Sequence, residues 1–337
     1  MPKLRIAILN SYNLPGRRGS DSLRVRSFLQ ALAKHGWIEG RDFDAVLLDF
    51  NARPAMEEAI RQLAAEGPVD LIQAFGTPNA VNALETFPGV PIIYGGAHPE
   101  RIGEATLDAE NVTGLMFHLP FTASYKSFRL LPRLVPRVRT VWTVFFEGTL
   151  FVPPAMRELH HTARDGSGRP VWLSSGDGPV GYPSLAGLAE ILGLGYRELI
   201  YADAGELARA IDEIDPETGV FINHTELLHC PGAFEAVLAR TTERNVPAIF
   251  NNGAQATTYG LFAGIAVDWP QVGWWSGETA ARILAGAPPR EIPREIHTGR
   301  IAWINLDTAR RLGLDPDPEV LGHFGRVITG QVDAVCM

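Results

Sequence analysis

Side chains able to bind or react gather where the apolar runs of this chain end. Asn10, Ser11 and Tyr12 follow Leu4-Arg5-Ile6-Ala7-Ile8-Leu9. Thr77 and Asn79 follow Leu71 to Phe75, and Gly96 and His98 follow Pro91 to Tyr94. Further along, Glu147 and Thr149 follow Val138 to Phe146, and Asn223, Thr225 and Glu226 follow Gly219 to Ile222. Asn252 and Gln255 follow Val246 to Phe250, and Asp268 and Trp269 follow Tyr259 to Val267. Amides, hydroxyls and a few carboxylates, with Tyr12 and Trp269 among them, suit one kind of ligand. It is a small amphipathic molecule, hydrogen-bonded at one end and stacked at the other. Helix capping and loop solvation are the competing use of each of these residues.

Signatures of catalysis are missing from the same loops. The chain has no GxSxG elbow, no P-loop, and no GxGxxG after its first strand. Leu192-Gly193-Leu194-Gly195 follows a helical run and reads as a helix C-cap and turn. His160 and His161 are adjacent, so on a helix they diverge by about 100° and do not share an ion. His224 and His229 have no third ligand in view. The expectation is binding without catalysis, cofactor or metal.

The elements that must position these groups follow from the pattern. In Val69-Asp70-Leu71-Ile72-Gln73-Ala74-Phe75-Gly76-Thr77-Pro78-Asn79-Ala80 an apolar run of buried-strand type meets Gly76, which permits a sharp turn. Thr77 then reads as an N-cap and Pro78 as the first helical residue. Such a joint turns free N–H groups back over the carboxyl end of the strand, where a carboxylate can be held. The joint recurs. Strands are predicted near 4–9, 43–50, 90–94, 138–146, 171–174, 199–201, 219–222, 246–250, 259–267 and 301–304, with helices between most of them. Residues 176–183 read as an irregular loop, and 155–163 as a helix. Strict β–α alternation predicts parallel sheets covered by helices on both faces. Two such series of similar size, meeting near residue 115 and crossing back near 250, predict two doubly wound α/β lobes. Residues 1–117 with 250–297 form one lobe, and 118–249 with 298–337 the other.

Composition narrows the partners. The chain has 337 residues, enough for two domains, and its apolar share of 46% is that of a globular protein. A net charge of −8 argues against nucleic acid and against an anionic membrane surface. Two cysteines without a CxxC pair support neither a disulfide framework nor a thiolate zinc site. No apolar run reaches the length of a membrane span. Met1-Pro2-Lys3 leads straight into the first strand, with no leader-like apolar segment or cleavage site.

The closing segment carries a resemblance. Tyr259-Gly260-Leu261-Phe262-Ala263-Gly264-Ile265-Ala266-Val267-Asp268-Trp269, the helix after it, and Ile304-Asn305-Leu306-Asp307-Thr308-Ala309-Arg310-Arg311-Leu312-Gly313-Leu314 resemble the end of ABC-transporter substrate-binding proteins of the tryptophan/tyrosine-binding type. Asn111-Val112-Thr113-Gly114 and Gly76-Thr77-Pro78 are similar to that family's other patches, in the same order. The resemblance spans nearly the whole chain. It implies a type I periplasmic-binding-protein fold, two lobes joined by three crossovers, a small-molecule ligand in the cleft, and an ABC permease as partner if the protein is exported. A periplasmic or cell-surface location is expected if a leader has been removed, and a cytoplasmic one otherwise. Ser11 to Gly19 and Asn251-Asn252-Gly253 depart from the commonest family versions, so amino-acid specificity is not inherited. A cytoplasmic ligand sensor of the same fold is the alternative, with an α/β enzyme behind it.

Overall fold

Runs of branched and aromatic residues alternate with amphipathic stretches, and each pair folds as a strand followed by a helix. The computed structural model describes residues 3–11, 22–50, 53–97, 109–117, 123–147, 167, 172–174, 181–223, 227–228, 230–251 and 254–329. In chain order come β1 (Leu4–Ser11), α1 (Leu23–Lys34), β2 (Phe43–Phe50), α2 (Arg53–Glu66), β3 (Leu71–Phe75), α3 (Thr77–Thr86), β4 (Ile92–Ala97) and β5 (Val112–Met116). Next are α4 (Ala123–Leu134), β6 (Thr140–Phe146), β7 (Trp172–Ser174), β8 (Gly181–Pro183), α5 (Leu185–Ile191), β9 (Gly195–Tyr201), α6 (Ala204–Ile211), β10 (Gly219–Asn223), α7 (Ala233–Glu243) and β11 (Ala248–Asn251). The chain ends with β12 (Ala263–Val267), α8 (Trp269–Leu284), β13 (Glu295–Ile296), β14 (Arg300–Asn305), α9 (Leu306–Arg311), α10 (Pro318–Leu321) and β15 (Arg326–Ile328).

Two sheets result. The first has the order β13-β5-β4-β3-β1-β2, and every neighbouring pair is parallel. The second runs β15-β14-β12-β11-β10-β6-β9, parallel except where β14 lies antiparallel to β12. β7 and β8 pair separately as an antiparallel ribbon. The fold class is α/β, with two mostly parallel sheets.

The chain divides into two units, residues 1–119 with 268–299 and residues 120–267 with 300–337, so it passes from one to the other three times. The expected return near residue 250 is corrected. β11 pairs with β10 and β12 with β11, so 250–267 complete the second sheet, and the return falls at Asp268. The strand expected over 259–267 is shorter, because Ala254–Tyr259 form a 3-10 turn ahead of β12. In the expected irregular loop, Gly181–Pro183 is a strand. The helix expected at 155–163 lies outside the described residues.

Each unit has a core of the kind its strands predict. Ile6, Ile8, Leu71, Ile72, Ile92 and Ile93 are buried in the first unit, and Val141, Val220, Ile222, Ile249 and Ile265 in the second. Strands apolar on both faces are those of sheets covered on both sides. In the first unit α1 and α8 lie side by side, and α8 packs on β4 and β5. α2 and α3 pack on each other, with α3 against β3 and β4.

Candidate functional site

In each unit the strand order reverses once, and the two reversals are alike. The chain goes from β1 to β2 on one side and then to β3 on the other. In the second unit it goes from β6 to β9, then to β10 on the far side. Ligands of open α/β sheets bind outside the carboxyl ends of the strands at such a reversal. In the first unit that position lies at Ser11 and Phe75. In the second it lies at Phe146, Glu147 and Asn223.

At the first reversal, Asn79 of α3 ties the strand ends together. Its Nδ2 donates to the carbonyl of Phe75 at 2.6 Å, to that of Leu9 at 3.3 Å and to Ser11 Oγ at 3.3 Å. Ser11 and Asn79, both read from the sequence as binding candidates, are thus brought together. Asn79 is fully buried, and among the described residues nothing donates to its Oδ1. Thr77 sits elsewhere than expected. It is the first residue of α3, and Gly76 occupies the N-cap, so the joint is capped without a hydroxyl at that position.

Beside this joint stands a buried cation that sequence reasoning missed. Arg24 of α1 is 4% exposed. Its Nε donates to Asn10 Oδ1 at 2.7 Å, its guanidinium also bonds the Ser11 carbonyl, and Asn10 Nδ2 donates to Asp49 at 3.0 Å. The guanidinium lies over the Phe75 ring at 5.2 Å and the Trp269 ring at 4.7 Å. Stacking on aromatic faces is how a buried arginine keeps part of what it loses in leaving water. Trp269 meets Phe117 edge to face at 5.5 Å, and Phe117 lies 5.8 Å from the His297 ring.

Gly96 allows that aromatic group to close. The β4–β5 register slips between Gly95 and Ala97, leaving Gly96 as the extra residue of a bulge with φ 76°. A Cβ there would stand 2.4 Å from Phe117 Cε2 and 3.0 Å from Trp269 Cζ3. Asp268 is a helix cap, its Oδ1 accepting from the Gln271 amide at 3.1 Å. Deeper in the sheet, Gln73 is fully buried, and among the described residues neither atom of its amide is bonded. Burial pushes the Tyr94 phenol up to about 12, against the opposite pull of Arg294.

The second unit presents Asn223 at the end of β10. It is fully buried, and among the described residues neither Nδ2 nor Oδ1 has a hydrogen-bond partner. Its register partner is Phe250, whose ring packs against Phe234 of α7, so Asn223 belongs to the α7 face of the sheet. The Glu147 amide donates to Tyr201 at 2.9 Å, and its side chain is exposed. On the opposite face Ser127 of α4 donates to Asn251 Oδ1 at 2.5 Å. Tyr12, His98, Thr149, Thr225, Glu226 and Asn252 lie outside the described residues, as does the side chain of Gln255. Among the described residues no group of three or more His, Cys, Asp or Glu is placed to hold a metal ion.

Comparison with known proteins finds the same fold. A conserved domain protein from Vibrio cholerae is similar to the chain, with a TM-score of 0.74 at 18% identity, over 97% of this chain and 100% of that one. An ABC domain from Streptococcus pneumoniae in complex with L-Trp gives 0.72 at 18% identity, again over 97% and 100%. An ABC transporter solute binding protein from Agrobacterium vitis, bound with alpha-D-tagatopyranose, gives 0.57 at 14% over 96% and 99%. At these identities the likeness is one of fold, that of the periplasmic binding proteins. No curated protein sequence matches. Residues 184–328 match the profile of the family described as ABC transporter substrate binding protein. Over these residues, from the start of α5 to the last strand, the chain is similar to the ABC transporter substrate binding proteins.

Proposed function

We propose that the chain is the solute-binding component of an ABC importer, outside the cytoplasm, taking up an aromatic or other amino acid or a related carboxylate. The observation that carries the reading is Asn223. A fully buried amide with neither atom bonded costs about 1–3 kcal/mol, and it stands at the strand reversal where ligands of such sheets bind. Asn79 Oδ1 is left unbonded at the corresponding place in the first unit. A ligand whose polar groups meet both amides relieves both penalties.

Ser11, Thr77, Asn79 and Gly96 on one unit, and Glu147, Asn223, Thr225, Asn252 and Gln255 with their neighbours on the other, are the proposed contacts. Tyr12, His98, Thr149 and Asp268 complete the set. A ligand touching both groups favours the state in which both are in reach, so binding drives hinge closure. The family description names substrate binding and no catalysis. The Streptococcus structure holds L-Trp, which supports an amino acid, whereas the Agrobacterium structure holds a sugar. No described helix is long and apolar enough to cross a membrane. The permease is a separate partner in this reading.

Mass spectrometry of small molecules released from the purified chain tests the proposal, followed by small-angle scattering with and without the recovered compound. An unchanged metabolite and a smaller radius of gyration on its addition are expected. A scattering profile that does not move removes closure, and recovery of a reaction product removes the binding-protein reading.

A further inference from the structure

Three rings of the first unit stand where the chain passes in or out of it. The passages fall after residue 119, before Asp268 and after Gly299. Phe117 is two residues ahead of the first, Trp269 follows Asp268 at the second, and His297 is two residues ahead of the third. These rings, far apart in sequence, form one group. Trp269 meets Phe117 at 5.5 Å between centroids, and Phe117 lies 5.8 Å from the His297 ring, both within the range of aromatic pairing. The backbone is joined at the same points. The Phe117 amide donates to the Ala97 carbonyl at 2.8 Å, that of His297 to Met116 at 2.9 Å, and that of Asp268 to Gly299 at 3.1 Å.

Nothing in this group has room to move alone. A Cβ at Gly299 would stand 2.8 Å from His297 Cε1, and one at Gly96 2.4 Å from Phe117. In packing of that density a shift of one segment displaces the others. Arg24 continues the group. Its guanidinium lies 4.7 Å over the Trp269 ring, while the same side chain bonds Asn10 and the Ser11 carbonyl at the end of β1. An unbroken series of contacts thus runs from a proposed ligand contact, Ser11, to the roots of all three passages. Hinges are a few element-terminal residues, and they turn about roots that stay fixed.

We propose that Phe117, Trp269 and His297 anchor the hinge on the first unit, and that Arg24 is the positioning residue tying this anchor to the Ser11 end of the binding site. The inference rests on the solute-binding reading and adds to it the place where closure is held. A ligand at Ser11 acts on the passages through Arg24 without touching them. Coupling of this kind is reciprocal, so loosening Arg24 or a ring loosens all three passages even with no ligand bound.

The test is amide-resolved hydrogen exchange of the dialysed full chain in rising, sub-denaturing urea. In the native chain the amides of Phe117, Asp268 and His297 should open together, with one opening free energy and one urea dependence. They should also open more readily than the Ile72 amide, which donates to Pro91 at 2.9 Å inside the sheet. Three unrelated values, or values equal to that of Ile72, overturn the proposal, and the native chain alone decides this even if no variant folds. Trp269→Leu and Arg24→Met each lose the stack and should speed exchange at all three amides by a common factor of about ten or more. Trp269→Phe keeps a ring over the guanidinium and should stay within about threefold of the native rates. Leu63→Ala, at a buried site in α2 where the helix packs on α3 and β2, controls for a general loss of stability. It should leave the three rates within about twofold of native, because a local opening does not involve α2. Speeding confined to Asp268 in Trp269→Leu, or equal speeding by Leu63→Ala, overturns the proposal. No ligand enters these measurements, so either failure leaves the solute-binding reading in place, and that reading falls only with the compound recovered from the chain.

Discussion

Replacing Asn223 with leucine separates the cost of the unbonded amide from its use. The two side chains have the same number of heavy atoms, so the change removes polarity with little change in length. An amide buried without partners costs about 1–3 kcal/mol, and both of its polar atoms are unbonded here. A buried leucine adds an apolar gain, offset by imperfect fit to a planar site. The net expectation is that unliganded Asn223→Leu is more stable by about 1–3 kcal/mol. For a domain of this size that raises the midpoint of the second unit by roughly 2–10 °C. Binding should move the other way. Losing the hydrogen bonds and leaving the ligand's own polar group unpaired costs about 2–4 kcal/mol, or a 30- to 1,000-fold fall in affinity. Calorimetric unfolding without ligand, and titration with the compound recovered from the native chain, give the two numbers. A variant that is less stable when unliganded, or one that binds as tightly as the native chain, refutes the reasoning.

Gly96→Ala should cost about 2–5 kcal/mol in urea unfolding. The residue is left-handed at φ 76°, and the new methyl would meet Phe117 at 2.4 Å, so a cost under about 1 kcal/mol would show that the bulge adapts. Arg24→Lys should destabilise the first unit by about 2 kcal/mol, because an ammonium cannot span Asn10 and the Ser11 carbonyl while stacking between two rings; unfolding midpoints of the two proteins compare them. Tyr94, whose phenol is raised in the folded state, contributes stability that is fully present below about pH 10. That contribution, about 2–3 kcal/mol, is lost as pH rises toward 12. Absorbance titration at alkaline pH should show one late-ionising tyrosine that Tyr94→Phe removes.

The sheets were legible because buried parallel strands need mostly apolar runs, and Ile6 to Leu9, Leu71 to Phe75 and Val220 to Ile222 supply them. The place where the chain leaves the second unit was less so. Asn251 to Gln255 reads as a break, yet β12 continues the same sheet beyond it, and the true passage at Asp268 carries only the cap signal of any β–α joint. Thr77 before Pro78 imitates a capped helix, but Gly76 ends the strand and takes the cap itself. Arg24 left no trace in the sequence. A cation on a helix or at a strand start is normally solvated, and only the folded arrangement shows which ones are drawn inside. Gln73 did leave one, as the single polar residue between Leu71 and Phe75.

α8 packs so closely on α1 that two of its positions have no room for a side chain. A Cβ at Gly273 would fall 2.1 Å from the carbonyl oxygen of Arg24, and one at Gly277 2.4 Å from that of Phe28. Between these partners lie more than two hundred residues of chain, including all of the second unit up to β12. During synthesis the apolar side of α1, with Phe28, Ala31 and Leu32, therefore emerges long before its cover exists. At a ribosomal rate of about 5–20 residues per second the wait is on the order of ten seconds or more. A nascent chain halted before residue 268 leaves that side of α1 without its cover. It is the form from which a holding chaperone, or aggregation, would take the first unit.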